Sequence, residues 1–222
     1  PNLVLLNGAL QSTWKHSAMN ADSKLQKTHL ERGPEAVKAA LIEAACYMLA
    51  EFGPNAMSVR NVATRAGVNH GQVHHYFGGK QGLIGAAADH LAKEHYINAH
   101  ERSGGTPLPP PLTLGEDSQY LQAIVRLVLD GDLETATQEI RSGVSVPVEA
   151  RQHLTRNYPA GQVPIEVKVR FAVTVAIELG WAALEPYILQ LADVNDSEQQ
   201  VVREQAQALI RNFILHELEQ DN

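Results

Sequence analysis

Three histidines, His70, His74 and His75, fall within six positions of the stretch GVNHGQVHHYFGGK at residues 67–80, out of ten in the whole chain. Imidazoles this close together suit three kinds of chemistry: holding a metal, moving protons in catalysis, or hydrogen-bonding to a polar partner. The metal reading is short of ligands. His70 and His74 are four apart and can share a helix edge, but His75 points away from both, and no carboxylate or cysteine lies nearby in sequence. A zinc site then needs a third protein ligand from elsewhere, and HEXXH is absent because Gly71 stands where the catalytic glutamate would be. FGGKQG is not a phosphate loop either: His74 stands where its first glycine would be, and Gln81 replaces the Ser or Thr. No GxSxG elbow and no GxGxxG is present. No catalytic residue, metal ligand or cofactor is therefore assigned, and the chain is expected not to be an enzyme.

The third chemistry fits better. On a helix starting near Asn69, Val73 and Phe77 point inward together, Gly71, Gln72 and His75 fall on the opposite side, and His74 and Tyr76 flank them. That outward face is polar and slim at its start, which suits the major groove of DNA, where Gln meets adenine edges and His or Asn meets base acceptors. Gly71 lets the helix backbone come close to the bases. Tyr76, His74 and Lys80 are then expected beside phosphates, whose contacts set position rather than sequence preference. Ser58 and the free N–H groups at the start of the preceding helix offer a further anion site.

The elements that must position this helix are legible on either side. Pro34 suits a first helical turn, and Val37, Leu41, Ala44, Ala45, Met48 and Leu49 recur at three- and four-residue steps until Gly53-Pro54. Ser58 as N-cap and Gly67 just past the end bracket a short helix around VRNVATRA. Asn69 is the expected N-cap of the next helix, so the two make a helix-turn-helix. A longer helix is expected from about Lys80 to Arg102, with Leu83, Ile84, Ala87, Leu91 and Ile97 periodic, and GGTPLPPPLTLGEDS cannot continue it. Beyond Ser118 the pattern is helical again. VPIEVKVRFAVTVAIELGWAALEPYILQLAD is apolar on more than one face, as a helix buried on two sides needs. The fold class is all-α.

Composition bounds the rest. Formal net charge is −7 over 222 residues, which argues against coating nucleic acid with the whole surface. The charge is uneven: residues 1–102 carry ten Lys and Arg against eight Asp and Glu, and residues 103–222 carry eight against seventeen. Two jobs are implied. No apolar run approaches the ~20 residues of a membrane span, and the opening PNLVLLNGAL is a poor secretory signal, so no membrane partner and a cytoplasmic location are expected. The single cysteine, Cys46, lies among alanines and leucines and reads as a buried small residue.

The string IEAACYMLAEFGPNAMSVRNVATRAGVNHGQVHHYFGGKQGLIGAA resembles the N-terminal domain of TetR-type transcriptional regulators, across residues 34–95 or so. The resemblance implies a homodimer that binds a palindromic operator in double-stranded DNA, usually as a repressor, and is released by a small-molecule effector. Carried over by position, base contacts fall to Arg60, His70, Gly71, Gln72 and His75, and phosphate contacts to Ser58, Asn69, His74, Tyr76 and Lys80. With the patterns read above, the expected organisation is a flexible arm over 1–33, a three-helix DNA-binding domain over 34–79, a connecting helix over 80–102, a linker over 103–117, and a ligand-binding and dimerisation domain over 118–222, the arm and linker both longer than the family usually shows. The chain departs from the family's usual pattern at His74, where tyrosine is frequent, and at His70, where Lys or Thr is. Because histidine titrates near neutrality, DNA affinity is expected to rise as pH falls.

In the C-terminal half the resemblance fades. Ala208, Leu209, Phe213 and Leu215, with Val173, Ile177, Leu184 and Ile188, make stripes that suit either a dimer interface or the core of one chain. Phe171, Glu178, Trp181 and Tyr187 are the candidate ligand-binding residues; Glu178 either pairs with Arg170 or another basic residue, or receives a cationic or hydrogen-bond-donating ligand. A rival reading of the whole chain is a cytosolic all-α metal-dependent or redox protein using the three histidines and Cys46.

Overall fold

The computed structural model describes residues 33–215, the side chain of Leu215 excepted. The expected arm over 1–33 lies, apart from Gly33, outside the described residues, as do residues 216–222. Among the described residues all regular structure is helical: α1 Pro34–Ala56, α2 Val59–Ala66, α3 Gly71–Phe77, α4 Lys80–Ser103, a 3₁₀ turn Leu114–Asp117, α5 Ser118–Leu129, α6 Leu133–Ala136, α7 Gln138–Ser142, α8 Val146–Thr155, α9 Ile165–Leu191 and α10 Gln199–Leu215.

The first four helices form around small side chains. Ala44, Ala45, Cys46 and Leu49 of α1, Val62 and Ala63 of α2, Val73 of α3, and Leu83, Ile84 and Ala87 of α4 are buried. Alanine at so many core positions lets short helices approach closely. Helical dihedrals in α1 break at Gly53, followed by Pro54, where Pro lacks the N–H an unbroken helix needs. The polar surface adds two ties: the Arg65 guanidinium stacks 3.4 Å from the centre of the Tyr47 ring, and the Lys38 ammonium lies 5.4 Å from that of Tyr76.

This core does not stop at the expected boundary. Tyr120, Ala123 and Leu127 of α5 and Ala136 of α6 belong to the same apolar cluster, and from Glu35 onward the described residues form one compact unit. Hydrogen bonds close the junction: Arg126 Nε donates to the Ala50 carbonyl at 2.6 Å, and Gln81 Nε2 donates to Asp132 at 3.1 Å and Thr135 at 3.2 Å. The proline-rich stretch is likewise folded in. Pro111 is buried, Thr113 donates to the Pro110 carbonyl, and Leu112 N–H reaches Glu178 on α9.

The long α9 differs from its expectation. Of its 27 residues only Thr174 and Leu189 are fully buried, while Ile165, Val169, Val173, Leu184, Tyr187 and Leu191 are exposed. One face of the helix packs inward. The other has nothing from the described chain to cover it.

Candidate nucleic-acid interface

The reading helix is held by its caps. Ser58 is extended (φ −120°, ψ 146°) and its hydroxyl oxygen accepts from Asn61 N–H at 3.1 Å, the N-cap geometry that serine favours. At the other end of α2, Gly67 takes the left-handed conformation (φ 68°), and the Val68 N–H bonds the Ala63 carbonyl at 3.0 Å. The chain turns tightly and α3 follows. Asn69 caps α3 in a shifted register: its side chain accepts from Gly71 N–H at 2.8 Å, and His70, already at helical dihedrals, precedes the first helical residue without a side-chain cap of its own.

Val73 is fully buried and Phe77 packs partly buried against the same core. Arg60, Asn69, His70, Gly71, His74 and His75 are exposed; Ser58, Gln72, Tyr76 and Lys80 are half-buried. All ten lie on the helix-turn-helix or the first residue of α4. The rings of His75 and Tyr76 meet edge to face, with centres 4.7 Å apart, which braces His75 on the outer face. Gly82 fixes how α3 meets α4: a methyl group there would lie 1.9 Å from the Phe77 carbonyl oxygen, so only glycine permits this approach.

Among the described residues no three His, Cys, Asp or Glu side chains come together as metal ligands. Cys46 is buried, donates from Sγ to the Ala87 carbonyl, and burial pushes its thiol up to about 12, so it is held as an unreactive thiol.

Residues 41–87 match the model of the family described as "Bacterial regulatory proteins, tetR family". The HTH-type transcriptional repressor Rv3405c of Mycobacterium tuberculosis is 27% identical over 164 residues, 74% of this chain and 81% of the relative. The HTH-type transcriptional regulator BetI of Brucella canis is 39% identical over 69 residues, 30% of this chain and 35% of its own length. A solved TetR-family transcriptional regulator from Streptomyces coelicolor is 21% identical, with a TM-score of 0.44, and covers 84% of this chain and 100% of that one. The chain carries a TetR-type DNA-binding domain over residues 41–87.

It is accordingly a DNA-binding transcriptional regulator and not an enzyme. Among the described residues no helix is long and apolar enough to cross a membrane.

Behind the DNA-reading unit lies a cavity of about 280 Å³ walled by α4, α5, α7, α8, α9, α10 and the proline-rich stretch. Of the four expected ligand-binding residues, Phe171 and Glu178 line it, while Trp181 and Tyr187 do not. Phe171, Thr174, Val175, Glu178 and Leu179 repeat at helical spacing on the wall, whereas Tyr187 falls about 160° round the helix from Phe171 and is 57% exposed. The Trp181 indole donates instead to Glu185. Glu178 is not held by Arg170: both its oxygens accept from the Leu112 N–H, at 3.0 and 2.8 Å. Burial raises its carboxyl above the ordinary range, against a smaller lowering by that hydrogen bond.

The cavity wall also carries a polar network that the sequence reading did not assign. Asp117 accepts from Asn98 at 2.9 Å and from both terminal nitrogens of Arg102, and lies 2.6 Å from His95 Nδ1. Burial pushes the Asp117 carboxyl up, but the bonds from Arg102, Asn98 and His95 outweigh it, so the group stays below its ordinary range. The His95 ring stacks on Tyr120 with centres 4.2 Å apart, and the Tyr120 hydroxyl donates to Glu139 at 2.5 Å. A signal for His95 existed: it falls four residues after Leu91 and four before Ala99, both buried, a polar residue on an apolar stripe. Nothing local announces Asp117, whose partners are 15 to 22 residues away, or Glu139, which joins Tyr120 from 19 residues away to Ser145 six residues on.

Proposed function

We propose that the protein is a ligand-responsive repressor: a cytoplasmic homodimer that binds a palindromic operator and releases it when a small molecule enters the cavity behind its DNA-reading unit. The observation that carries this reading is continuity. α4 begins with Lys80, beside the recognition helix, and ends at the cavity wall with His95, Ala99 and Arg102. α5 lines the same cavity with Tyr120, Leu121 and Ile124, and its Arg126 is bonded to α1. A ligand that moves either helix moves the reading unit with it. Operator half-sites lie about one DNA turn apart, ~34–36 Å, so a few ångströms of misplacement remove binding.

The repressor sign is supported by the name of the Mycobacterium tuberculosis relative. The homodimer is supported by the exposed apolar residues of α9 and α10, among them Val173, Leu184, Leu209 and Phe213, which suit a four-helix interface between two copies. Base contacts are proposed for Arg60, His70, Gly71, Gln72 and His75, and phosphate contacts for Ser58, Asn69, His74, Tyr76 and Lys80.

The test is binding to the intergenic DNA beside the protein's own gene at two salt concentrations, with and without a chelator. The expected result is tight, salt-sensitive, chelator-indifferent binding with two protomers per site. Gln72→Ala should cost about 1–3 kcal/mol and relax the preference for one base pair, whereas Lys80→Ala should weaken binding to all sequences and lower the salt slope by about one. Affinity no better than for random DNA would overturn the reading, and loss of binding with the chelator would restore a metal role for the histidines.

A further inference from the structure

We infer that the cavity takes a lipophilic monocation, a bicyclic-sized apolar body carrying one ammonium group that pairs with Glu178. The inference rests on the effector reading above and adds the chemical class of the ligand.

Size comes first. A cavity of about 280 Å³ is roughly twice the ~150 Å³ apolar cavity that accepts a benzene ring. Its walls are mainly aliphatic and proline side chains, with Phe171 as an aromatic face. A compact two-ring body fits that space and that surface.

Charge decides the head group. The ionisable side chains lining the cavity, among the described residues, are His95 and Arg102 from α4, Tyr120 from α5, Glu139 from α7 and Glu178 from α9; α8, α10 and the proline-rich stretch line it without any. Arg102 is the one cation of fixed charge among them, and it is already matched, since both its terminal nitrogens bond Asp117 and Glu116 stands 3.8 Å away. Its Nε has no hydrogen-bond partner among the described residues but is buried and presents no surface to the cavity. An anion entering here would meet no open positive group among the described residues. Glu139 is satisfied by two hydroxyls, Tyr120 at 2.5 Å and Ser145 at 2.7 Å.

Glu178 is different. Its two oxygens share one backbone N–H, that of Leu112, although an ionised carboxylate has about four acceptor positions. Burial, with no positive partner among the described residues, raises its carboxyl, and a cation beside it would remove that cost. Phe171 lies seven residues earlier, two turns along the same face of α9, and lines the same cavity, so it offers the apolar body an aromatic wall about 10 Å along the helix from the carboxylate.

The experiment is calorimetric titration of the full-length protein at pH 8 with four naphthalene probes of nearly equal size: 2-naphthylmethylamine, 2-naphthalenemethanol, 2-naphthoate and 2-methylnaphthalene. The amine should bind about tenfold to a hundredfold tighter than the alcohol, as a hydrogen bond to a charged group implies, and the carboxylate weakest. In Glu178→Gln, whose amide oxygen still accepts from Leu112, the amine-to-alcohol ratio should fall to near one. Alcohol or hydrocarbon binding as tightly as the amine, or naphthoate binding tightest, would overturn the cation class while leaving the cavity as an effector site. An undiminished ratio in Glu178→Gln would remove Glu178 from the role. If none of the four probes binds the unaltered protein, the effector cavity itself fails and this inference with it. The four-probe comparison needs no substitution, so it decides the ligand class even if the variant does not fold.

Discussion

The two halves of the chain bury themselves by different means. Residues of α1 to α4 close an almost entirely apolar core from alanine, leucine and valine, and Leu41, Ala45, Leu49, Val62, Val73, Leu83 and Ala87 are inaccessible to solvent. The C-terminal half has fewer such residues: α8 has none fully buried, and α9 has Thr174 and Leu189. What it buries instead is polar, namely Asp117, Thr135, Glu139, Ser145 and Thr174, with His95 of α4 bonded into the same network around a cavity. A DNA-reading unit must hold one helix in one orientation, which dense packing achieves. A half that accepts a ligand and a partner keeps free volume and uncovered apolar surface, and polar bonds with fixed directions hold it in shape meanwhile.

The comparison breaks most sharply at Asp117. If polar bonding substitutes for apolar core there, Asp117→Asn should cost about 3 kcal/mol at neutral pH, because Arg102 loses its charged partner, and thermal melting measures it. The pH dependence has a definite sign. Since the carboxyl is held below its ordinary value of 3.8 in the folded protein, its stabilisation is present above that value and lost as pH falls through the lower, folded one. The gap in melting temperature between wild type and variant should therefore be full at pH 7 and shrink only below about pH 4. A gap that is already closed at pH 6 would mean the network is not held by that ionised carboxylate.

The uncovered surface gives the next effect. Leu184 is 51% and Leu209 69% exposed, so replacing both with lysine should leave the folded chain intact while costing the proposed dimer about 2–4 kcal/mol. Sedimentation at micromolar concentration should then report monomers, and operator affinity should fall with them. A double variant that still sediments as a dimer would return these stripes to packing within one chain.

How much of this contrast the sequence carried depends on how local the causes are. The caps at Ser58, Gly67 and Asn69 and the inward pair Val73 and Phe77 are fixed by neighbours within a few residues, and periodicity finds them. Phe171, Glu178, Trp181 and Tyr187 stand out alike by composition, as aromatic area and one charge on an apolar helix, and composition does not separate the two that share the cavity face from Tyr187 on the opposite side. The role of residues 103–117 was hidden for a different reason. Prolines announce the end of a helix but not what they will lie against, and it takes the Leu112 to Glu178 bond, 66 residues apart, to turn a linker into a cavity wall. Arg126 meeting the Ala50 carbonyl across 76 residues was unreadable on the same ground.

Within the DNA-reading half, Gly82→Ala probes the density directly. The added methyl would lie 1.9 Å from the Phe77 carbonyl oxygen, a backbone atom, so α3 and α4 must separate. The expected cost is about 1–3 kcal/mol of stability, with operator binding reduced more than that loss accounts for, because the displaced element is the recognition helix. Gly85→Ala is the control on the same helix: its methyl would meet only the side-chain amide oxygen of Gln138, at 3.3 Å. Equal effects of the two on DNA binding would deny that the α3–α4 approach is what orients α3.

The smallest effect belongs to the cavity. Burial raises the Glu178 carboxyl above its ordinary 4.5, so its favourable contribution is present below that value and lost as pH rises through the raised, folded one. At pH 8 the empty protein carries a buried charge with one N–H partner, whereas Glu178→Gln carries none and keeps an oxygen for Leu112. The variant should melt at the higher temperature at pH 8, by the few degrees that about 1 kcal/mol represents in a chain of this size, and the difference should vanish near pH 4. A variant that melts lower at pH 8 would mean that the carboxylate is stabilised in place. The C-terminal half would then be complete without a ligand, and its contrast with the DNA-reading unit would reduce to the uncovered surface alone.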